Sequence, residues 1–195
     1  METQMEFLPI MINGELVYAG FWKRFCAGMI DVFILLPLMV LLIWVQGYDR
    51  MLAISLVIPG SILVVIYYVF FNARFGGTPG KWAVDIRITQ PDGSSIGWSE
   101  AWKRSSINLI LVLIGLVVQI WALIQVDPAQ YASLSSWSER AKLLGEYRPV
   151  WHSADKWMNH LWFMSETIVF FCNNRRRAIH DFIAGTVVIH KPFAK

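Results

Sequence analysis

The sequence predicts an all-α membrane protein, a bundle of four transmembrane helices with a small cytoplasmic β-hairpin or three-stranded element. Composition is the first observation: 56% of the 195 residues are apolar and 16% are charged, whereas a soluble domain has about 45–50% and 25%. The apolar residues also form long uninterrupted runs, and Lys and Arg are distributed unevenly between these runs. The chain has room for a single domain, 1–195.

The four spans are predicted at about residues 22–46, 51–71, 100–126 and 157–174. A helix needs about 20 residues to cross the hydrocarbon core, and the first three runs contain apolar stretches of that length. The fourth is shorter and more polar, so a tilted span, a re-entrant helix and an interfacial helix remain open. Four crossings place 12 of the 17 Lys and Arg on the inner side, as the positive-inside bias requires.

Two connecting segments are predicted to be structured. Alternating apolar and polar residues from Trp82 and turn chemistry at 90–93 predict a cytoplasmic hairpin over 82–97. The β-branched run at 186–190 is expected to pair with it, because a two-stranded hairpin alone is marginal. Residues 127–156 form a periplasmic insertion with a short surface helix at 138–147, whose flanking Trp137 and Trp151 could rest on the lipid interface.

Arg24 and Asp31 are seven residues apart on the first span and therefore face the same side of the helix. A charged side chain in the bilayer costs at least about 2.5 kcal/mol on insertion scales, so Asp31 should face the protein interior and meet a partner. Two interpretations remain open. The contact could fix the helix register, or it could serve the movement of a proton, cation or polar solute.

Glu166 is the second carboxylate in an apolar segment, and Asp31 and Glu166 are predicted at comparable depths from the inner face. Two carboxylates close together cannot both stay ionised without cost, so one binds a proton or a cation joins them. Glu166 could instead face outer water or a single lysine. His160 and His180 are candidates for extending a proton relay, and His160 could equally be a packed or interfacial residue.

The basic triplet Arg175, Arg176 and Arg177 precedes Asp181. Such a cluster is typical of an inner-face anchor on anionic lipid. Arg177 and Asp181 also have the i, i+4 spacing of a pair on a helix.

No motif of an enzyme, a cofactor or a metal site is recognised, and no nucleic-acid partner is indicated. The glycine-rich stretch 76–81 differs from a phosphate-binding loop, which needs Gly at position 75 and Ser or Thr at 82, where Phe75 and Trp82 stand. The sequence therefore favours a non-enzymatic protein without a cofactor.

Three segments in order carry a family resemblance: Ala19–Phe25 followed by Asp31, then Gly77–Lys81 with a valine-containing strand and Pro91–Gly93, and finally Arg177–Val188. Together they resemble the RDD family of bacterial membrane proteins, which is named for one arginine and two aspartates. By position these fall on Arg24, Asp31 and Asp181. The resemblance implies the bacterial inner membrane and, for some members, transport that includes cation/proton exchange and export of small solutes.

Two functions are therefore expected as alternatives. The first is a small transporter or transporter subunit, with both chain ends in the cytoplasm, in which Asp31 and Glu166 form the responsive site and Arg24 and Asp181 lock an inner gate. Four helices enclose little volume, so a homo-oligomer or a partner membrane subunit is expected. The second is a non-transporting scaffold or assembly factor that holds partner proteins.

Overall fold

A computed structural model of the chain describes residues 7–195, and helices dominate it. Within that range the chain forms eight α-helices, which are α1 (Phe21–Gln46), α2 (Arg50–Phe75), α3 (Pro79–Ala83), α4 (Trp98–Gln125), α5 (Pro128–Ser133), α6 (Trp137–Glu146), α7 (His152–Phe171) and α8 (Ile179–Ala184). Its four short strands are β1 (Met11–Ile12), β2 (Glu15–Leu16), β3 (Ile86–Thr89) and β4 (Val187–His190).

Helices α1, α2 and α4 are long and apolar enough to cross a membrane. Their most apolar windows have mean hydropathies of 2.6, 2.3 and 2.6, yet only 17%, 17% and 22% of those windows is buried inside the protein. Such exposed apolar surface is unfavourable in water and favourable in lipid. The first three predicted spans are thus confirmed as apolar helices of membrane-crossing length, and the chain is a multi-pass membrane protein.

Among the described residues, helix α7 is not one of the helices that are long and apolar enough to cross a membrane. Its 20 residues include Asp155, Lys156 and Glu166, which make it less apolar than the other three. The fourth span therefore stays a prediction, although the helix itself lies where the sequence predicts one.

The chain divides into two compact units. One comprises the described residues up to Ile34 together with Ile66–Ile107 and Trp162–Lys195, and the other comprises Leu35–Val65 and Asn108–Leu161.

The centre of the first unit is an antiparallel pair of β3 and β4, in which Ile86 is opposite His190 and Thr89 is opposite Val187. Its buried side chains form two adjoining apolar clusters, listed as Ala19, Ala27, Ile86, Ile88, Ile96 and Val188 in one and Val17, Tyr18, Val187 and Ile189 in the other. The predicted pairing of 186–190 with the inner loop is therefore confirmed.

The hairpin predicted over 82–97 is only partly present. After the turn at 90–93, a single bridge from Thr89 to Ser95 represents its second strand. Trp82 belongs to α3 rather than to a strand, because Thr78 has the extended backbone of an N-cap residue and Pro79 occupies the first turn, where proline is favoured. The β3 strand consequently takes β4 as its partner. A further hairpin, β1–β2, has Asn13 and Gly14 at positive φ.

The second unit has a core of small and apolar side chains, which are Ala53, Ala122, Leu123, Val126, Tyr131, Leu143 and Leu144. The predicted surface helix is α6, which starts with a capping box of Ser136 and Glu139. It buries two leucines in this core, while Trp137 and Trp151 keep 61% and 47% of their surface exposed. The exposure of both tryptophans fits the predicted contact with the lipid interface.

Candidate functional site

Asp181 is fully buried and is the centre of a charged cluster in the first unit. Its Oδ2 accepts a hydrogen bond of 2.7 Å from Nη1 of Arg24 and one of 3.0 Å from the backbone N–H of Ala178. Its Oδ1 is paired with Nη1 of Arg104. Burial opposes the ionisation of this carboxyl, but the charges of Arg104 and Arg24 outweigh that effect and hold the pKa of Asp181 below its ordinary value.

The local backbone explains how Asp181 reaches this position. It is the third residue of α8, so its carboxylate can accept the otherwise free N–H at the helix start. Gly185 ends α8 in the left-handed conformation at a φ of 67°. Arg177 then ties both ends of the turn together, because it donates 3.0 Å and 3.1 Å hydrogen bonds to the backbone oxygens of Asp181 and Thr186.

Arg24 contacts the same turn twice. Besides pairing with Asp181, it donates from Nη2 to the backbone oxygen of Arg176 at 2.6 Å. Arg176 has a positive φ of 51°, a conformation that non-glycine residues seldom adopt. The Arg24 guanidinium also lies over the Phe170 ring, and the distance from Cζ of Arg24 to the ring centroid is 5.0 Å.

Glu166 and His180 extend the cluster. Nδ1 of His180 lies 2.5 Å from one Glu166 oxygen, and the His180 backbone N–H donates to the other at 2.9 Å. Nη2 of Arg104 lies 2.8 Å from Nε2 of the same ring. Since guanidinium can only donate, Nε2 must accept, which assigns the proton to Nδ1 and makes the imidazole neutral. Burial, followed by the charge of Arg104, lowers the pKa of His180 and favours this neutral form.

These contacts form a continuous network: Glu166, His180, Arg104, Asp181 and Arg24. Two guanidiniums and two carboxylates balance to zero formal charge when the imidazole is neutral. A balanced network can be buried at lower cost than any of its members alone.

Asp31 lies in a separate set of contacts in the same unit, with 2% of its surface exposed. Its Oδ1 accepts hydrogen bonds of 2.8 Å from the Tyr67 hydroxyl and from the Gly80 N–H. Its Oδ2 accepts one of 2.5 Å from the Thr78 hydroxyl. The predicted burial of Asp31 and its contact with partners are confirmed, and the partners are neutral donors.

Two residues of the α3 region shape the Asp31 site further. A Cβ at Gly80 would overlap the backbone oxygen of Ala27 and lie 2.8 Å from the Asp31 carboxyl carbon, so glycine allows α3 to approach α1. Nζ of Lys81 donates to the Thr78 hydroxyl at 3.4 Å. Burial, followed by the charge of Arg104, lowers the pKa of Lys81 to about 8, so part of its population is neutral at physiological pH.

The structure separates some of the residues that the sequence grouped. Asp31 and Glu166 are hydrogen-bonded to different partners, while Arg24 and Asp181 are paired as the gate hypothesis requires. His180 is joined to Glu166, whereas the exposed His160 ring lies 2.8 Å from the backbone oxygen of Lys156 and 6.5 Å from the Trp157 ring centroid. A relay through His160 therefore has no support in its contacts.

The expectation that the whole basic triplet is a lipid anchor is wrong for Arg177. This residue is 8% exposed. Its guanidinium donates to the backbone of the Asp181 turn, and its Cζ lies 4.1 Å from the centroid of the Phe182 ring. Its expected i, i+4 partner is thus the Asp181 backbone rather than the carboxylate. Arg175 lies 4.1 Å over the Phe7 ring.

Sequence reasoning missed Arg104, Thr78 and Tyr67. Arg104 is one of the 12 basic residues that four crossings place on the inner side. It also shares a helical face with Ala101 and Asn108, at spacings of three and four residues. That combination of a small, a charged and a polar residue was the available signal. Thr78 and Tyr67 have no comparable pattern around them, because each reaches Asp31 from a different segment.

Comparison with known proteins gives one match. The model of the RDD family matches residues 18–134, which include Arg24, Asp31, Thr78 and Arg104. Glu166, His180 and Asp181 lie beyond the matched range. No curated protein and no solved structure matches the chain.

Proposed function

The chain belongs to the RDD family, and from that premise we propose that it is a small transporter or transporter subunit. Its cargo in this proposal is a proton, another cation or a small polar solute. The observation that carries the proposal is Asp31, a carboxylate buried in the most N-terminal membrane helix and held by neutral donors.

We place the protein in the bacterial inner membrane with four spans, α7 being the fourth, and with both ends of the chain in the cytoplasm. A 20-residue helix is roughly 30 Å long, which matches the hydrocarbon core. With α7 spanning, Arg175, Arg176 and Arg177 fall on the same side as Lys23 and Arg24, in agreement with the positive-inside bias.

Asp31 is suited to exchange because its charge is not committed to an ion pair. Within residues 7–195 no Lys or Arg nitrogen lies in ion-pair range of its carboxylate. Three hydrogen bonds stabilise the ionised form, and loss of charge on protonation removes the cost of holding an anion among apolar helices. A proton and a cation can therefore compete for this carboxylate.

Lys81 provides a route for the proton. Its amine donates to the Thr78 hydroxyl, which in turn donates to Asp31. A shift of one proton along this line leaves a neutral amine and a neutral carboxylic acid, and the lowered pKa of Lys81, about 8, reduces the cost of that shift. The Arg24–Asp181 pair fixes the neighbouring turn and serves as the inner gate.

The test is flux in proteoliposomes that contain a trapped pH-sensitive dye. A gradient of NaCl or KCl is imposed, and proton movement is recorded for the wild type, Asp31→Asn and Asp85→Asn. Asparagine keeps the shape of Asp31 but binds no proton, so its rate should fall to that of protein-free vesicles. Asp85 is an exposed aspartate at positive φ, a conformation asparagine tolerates, so this control should keep the wild-type rate.

A second function is favoured by a different observation. The Glu166–Arg24 network is charge-balanced and buried, as expected of a rigid scaffold that positions partner proteins. If the protein is such a scaffold, Asp31→Asn reduces the amount of folded protein, and the wild type carries no proton flux with either salt. Equal flux in the wild type and Asp31→Asn would contradict the carboxylate mechanism.

We also propose that the functional form is a homo-oligomer or a complex with another membrane subunit. The support is the large apolar area that α1, α2 and α4 leave exposed, together with the small volume that so few helices can enclose. Native mass spectrometry from neutral detergent measures the copy number directly.

A further inference from the structure

A cavity of about 730 Å³ lies in the first unit between the end of α2, α3, β3 and the residues after β4. Its volume falls in the range of small-molecule sites, about 300–1,000 Å³. None of the residues assigned to Asp31 or Asp181 lines it.

The lining of this cavity is strongly basic. Arg74, Arg87, Lys191 and Lys195 contribute to it, and among the described residues no acidic side chain does. Lys195 is also paired with Asp92, whose carboxylate lies 3.6 Å from its Nζ in an exposed pair. Such a cavity attracts anions.

Three buried polar atoms in this lining have no hydrogen-bond partner within residues 7–195: Nε of Arg87, Nε1 of Trp82 and Oγ1 of Thr89. Thr89 is 2% exposed. A buried donor without a partner costs about 1–3 kcal/mol, so three in one place call for an explanation. The remaining five such atoms in the described chain belong to residues outside this lining.

Strand geometry explains why two of these groups converge. Successive side chains of a strand alternate between its faces, so Arg87 and Thr89 share one face of β3 while Ile86 and Ile88 fill the apolar cluster on the other. Trp82 reaches the cavity from α3, where Phe71 and Phe75 hold its ring edge-on at centroid distances of 5.7 Å and 5.2 Å. The three donors are therefore held by regular structure.

We propose that this cavity binds a phosphate-bearing anion. Three donors and a cationic rim match a group with several acceptor oxygens, and a guanidinium can bind two of them at once. Arg74 is in the last turn of the membrane helix α2, so both an anionic lipid headgroup and a soluble phosphate compound can reach the cavity.

The test uses the full-length protein in neutral detergent and its thermal unfolding followed by intrinsic fluorescence. One arm compares sodium phosphate with sodium chloride at equal ionic strength, and the other compares short-chain phosphatidylglycerol with short-chain phosphatidylcholine. Saturable stabilisation by phosphate assigns a soluble ligand, and saturable stabilisation by phosphatidylglycerol beyond phosphatidylcholine assigns a headgroup. Either result supports the site, and equal responses within both pairs overturn it.

Variants show whether the effect belongs to this cavity. Arg87→Gln should weaken the stabilising ligand at least about tenfold, since a charge-assisted hydrogen bond is lost. Thr89→Val should also weaken it, yet unfold at the same or a higher temperature without ligand, because it removes an unpartnered hydroxyl. Lys103→Gln removes an exposed cation outside the cavity and should bind as the wild type does. Unchanged binding in both cavity variants contradicts the proposal.

Discussion

Arg24 and Asp181 form an ion pair of 2.7 Å although 157 positions of sequence separate them. The pair joins the start of the first membrane helix to the turn that precedes β4. Asp181 is at the same time paired with Arg104, so one carboxylate contacts cations from two membrane helices. Removing this residue therefore affects more than one contact.

Asp181→Asn should destabilise the protein by about 3–5 kcal/mol, because it leaves two buried guanidinium groups without their anion. The measurement is the melting temperature of the detergent-solubilised protein by fluorescence-detected size exclusion. Asp92→Asn is the matched control, since the Asp92 side chain is 45% exposed and paired with an exposed lysine. An amide oxygen can still accept the two hydrogen bonds from Ser94, so its melting temperature should stay near the wild type. Equal melting temperatures for both variants would show that the buried network contributes no stability.

Arg24→Lys should not preserve the network despite its retained charge. Arg24 donates from two nitrogens at once, to Asp181 and to the Arg176 backbone oxygen, whereas a single ammonium has no such planar fork. We expect a loss of roughly 1–3 kcal/mol from the oxygen left unpaired, measured by the same melting assay. Lys23→Arg, a change at the exposed neighbouring position, is the control, and a loss of the same size there would exclude the geometric explanation.

Gly80→Ala should disrupt the Asp31 site by steric overlap. Its Cβ would overlap the Ala27 backbone oxygen and press on the Asp31 carboxyl group, and such overpacking costs typically 1–3 kcal/mol. Gly115→Ala is the opposite case, because a Cβ there meets nothing within 4 Å inside a long helix, and alanine is favoured over glycine by up to about 1 kcal/mol. The two variants should move the melting temperature in opposite directions, and a shift in the same direction would refute the close-approach argument.

Acidification should weaken the fold through His180. Its pKa in the folded protein lies below the ordinary value of 6.5, with burial as the first cause and Arg104 as the second. The unfolded state then binds more protons, so this contribution is present above pH 6.5 and is lost as pH falls below it. Glu166, Asp181 and Arg104 are the charged groups that face the ring.

The measurement for His180 is the melting temperature at pH 7.5 and at pH 5.5. His180→Gln, which removes the titrating group, should show a smaller difference between the two values than the wild type. His160→Gln should keep the wild-type difference, since that ring is exposed. A wild-type difference that is retained in His180→Gln would assign the pH dependence to other groups.

The membrane helices and the burial of Asp31 were predictable because both follow from the cost of polar groups in lipid. Long apolar runs leave the chain no alternative to helix in a membrane, and an isolated carboxylate there requires donors. Which donors it finds was not predictable. Tyr67 and Thr78 are 36 and 47 positions away, and no periodicity relates them to Asp31.

Two errors have identifiable physical reasons. The alternation of Trp82 with polar neighbours predicts a strand there, although Thr78 and Pro79 are a stronger signal for the start of a helix. The basic triplet predicts an inner-face anchor on anionic lipid, which is wrong for Arg177. Its burial depends on the carbonyl oxygens of the Asp181 turn, which exist as acceptors only once that turn has folded.

The position of Asp181 after Arg24 and Arg104 in the chain has a consequence for biosynthesis. Domains emerge from the ribosome N-terminal part first, so Arg24 and Arg104 enter the membrane region long before the carboxylate that they share is made. During that interval both guanidinium groups need water or another binding partner in place of the carboxylate. Termination of translation ahead of codon 181 would leave a nascent chain in which Arg24 and Arg104 lack the carboxylate that they share in the folded protein.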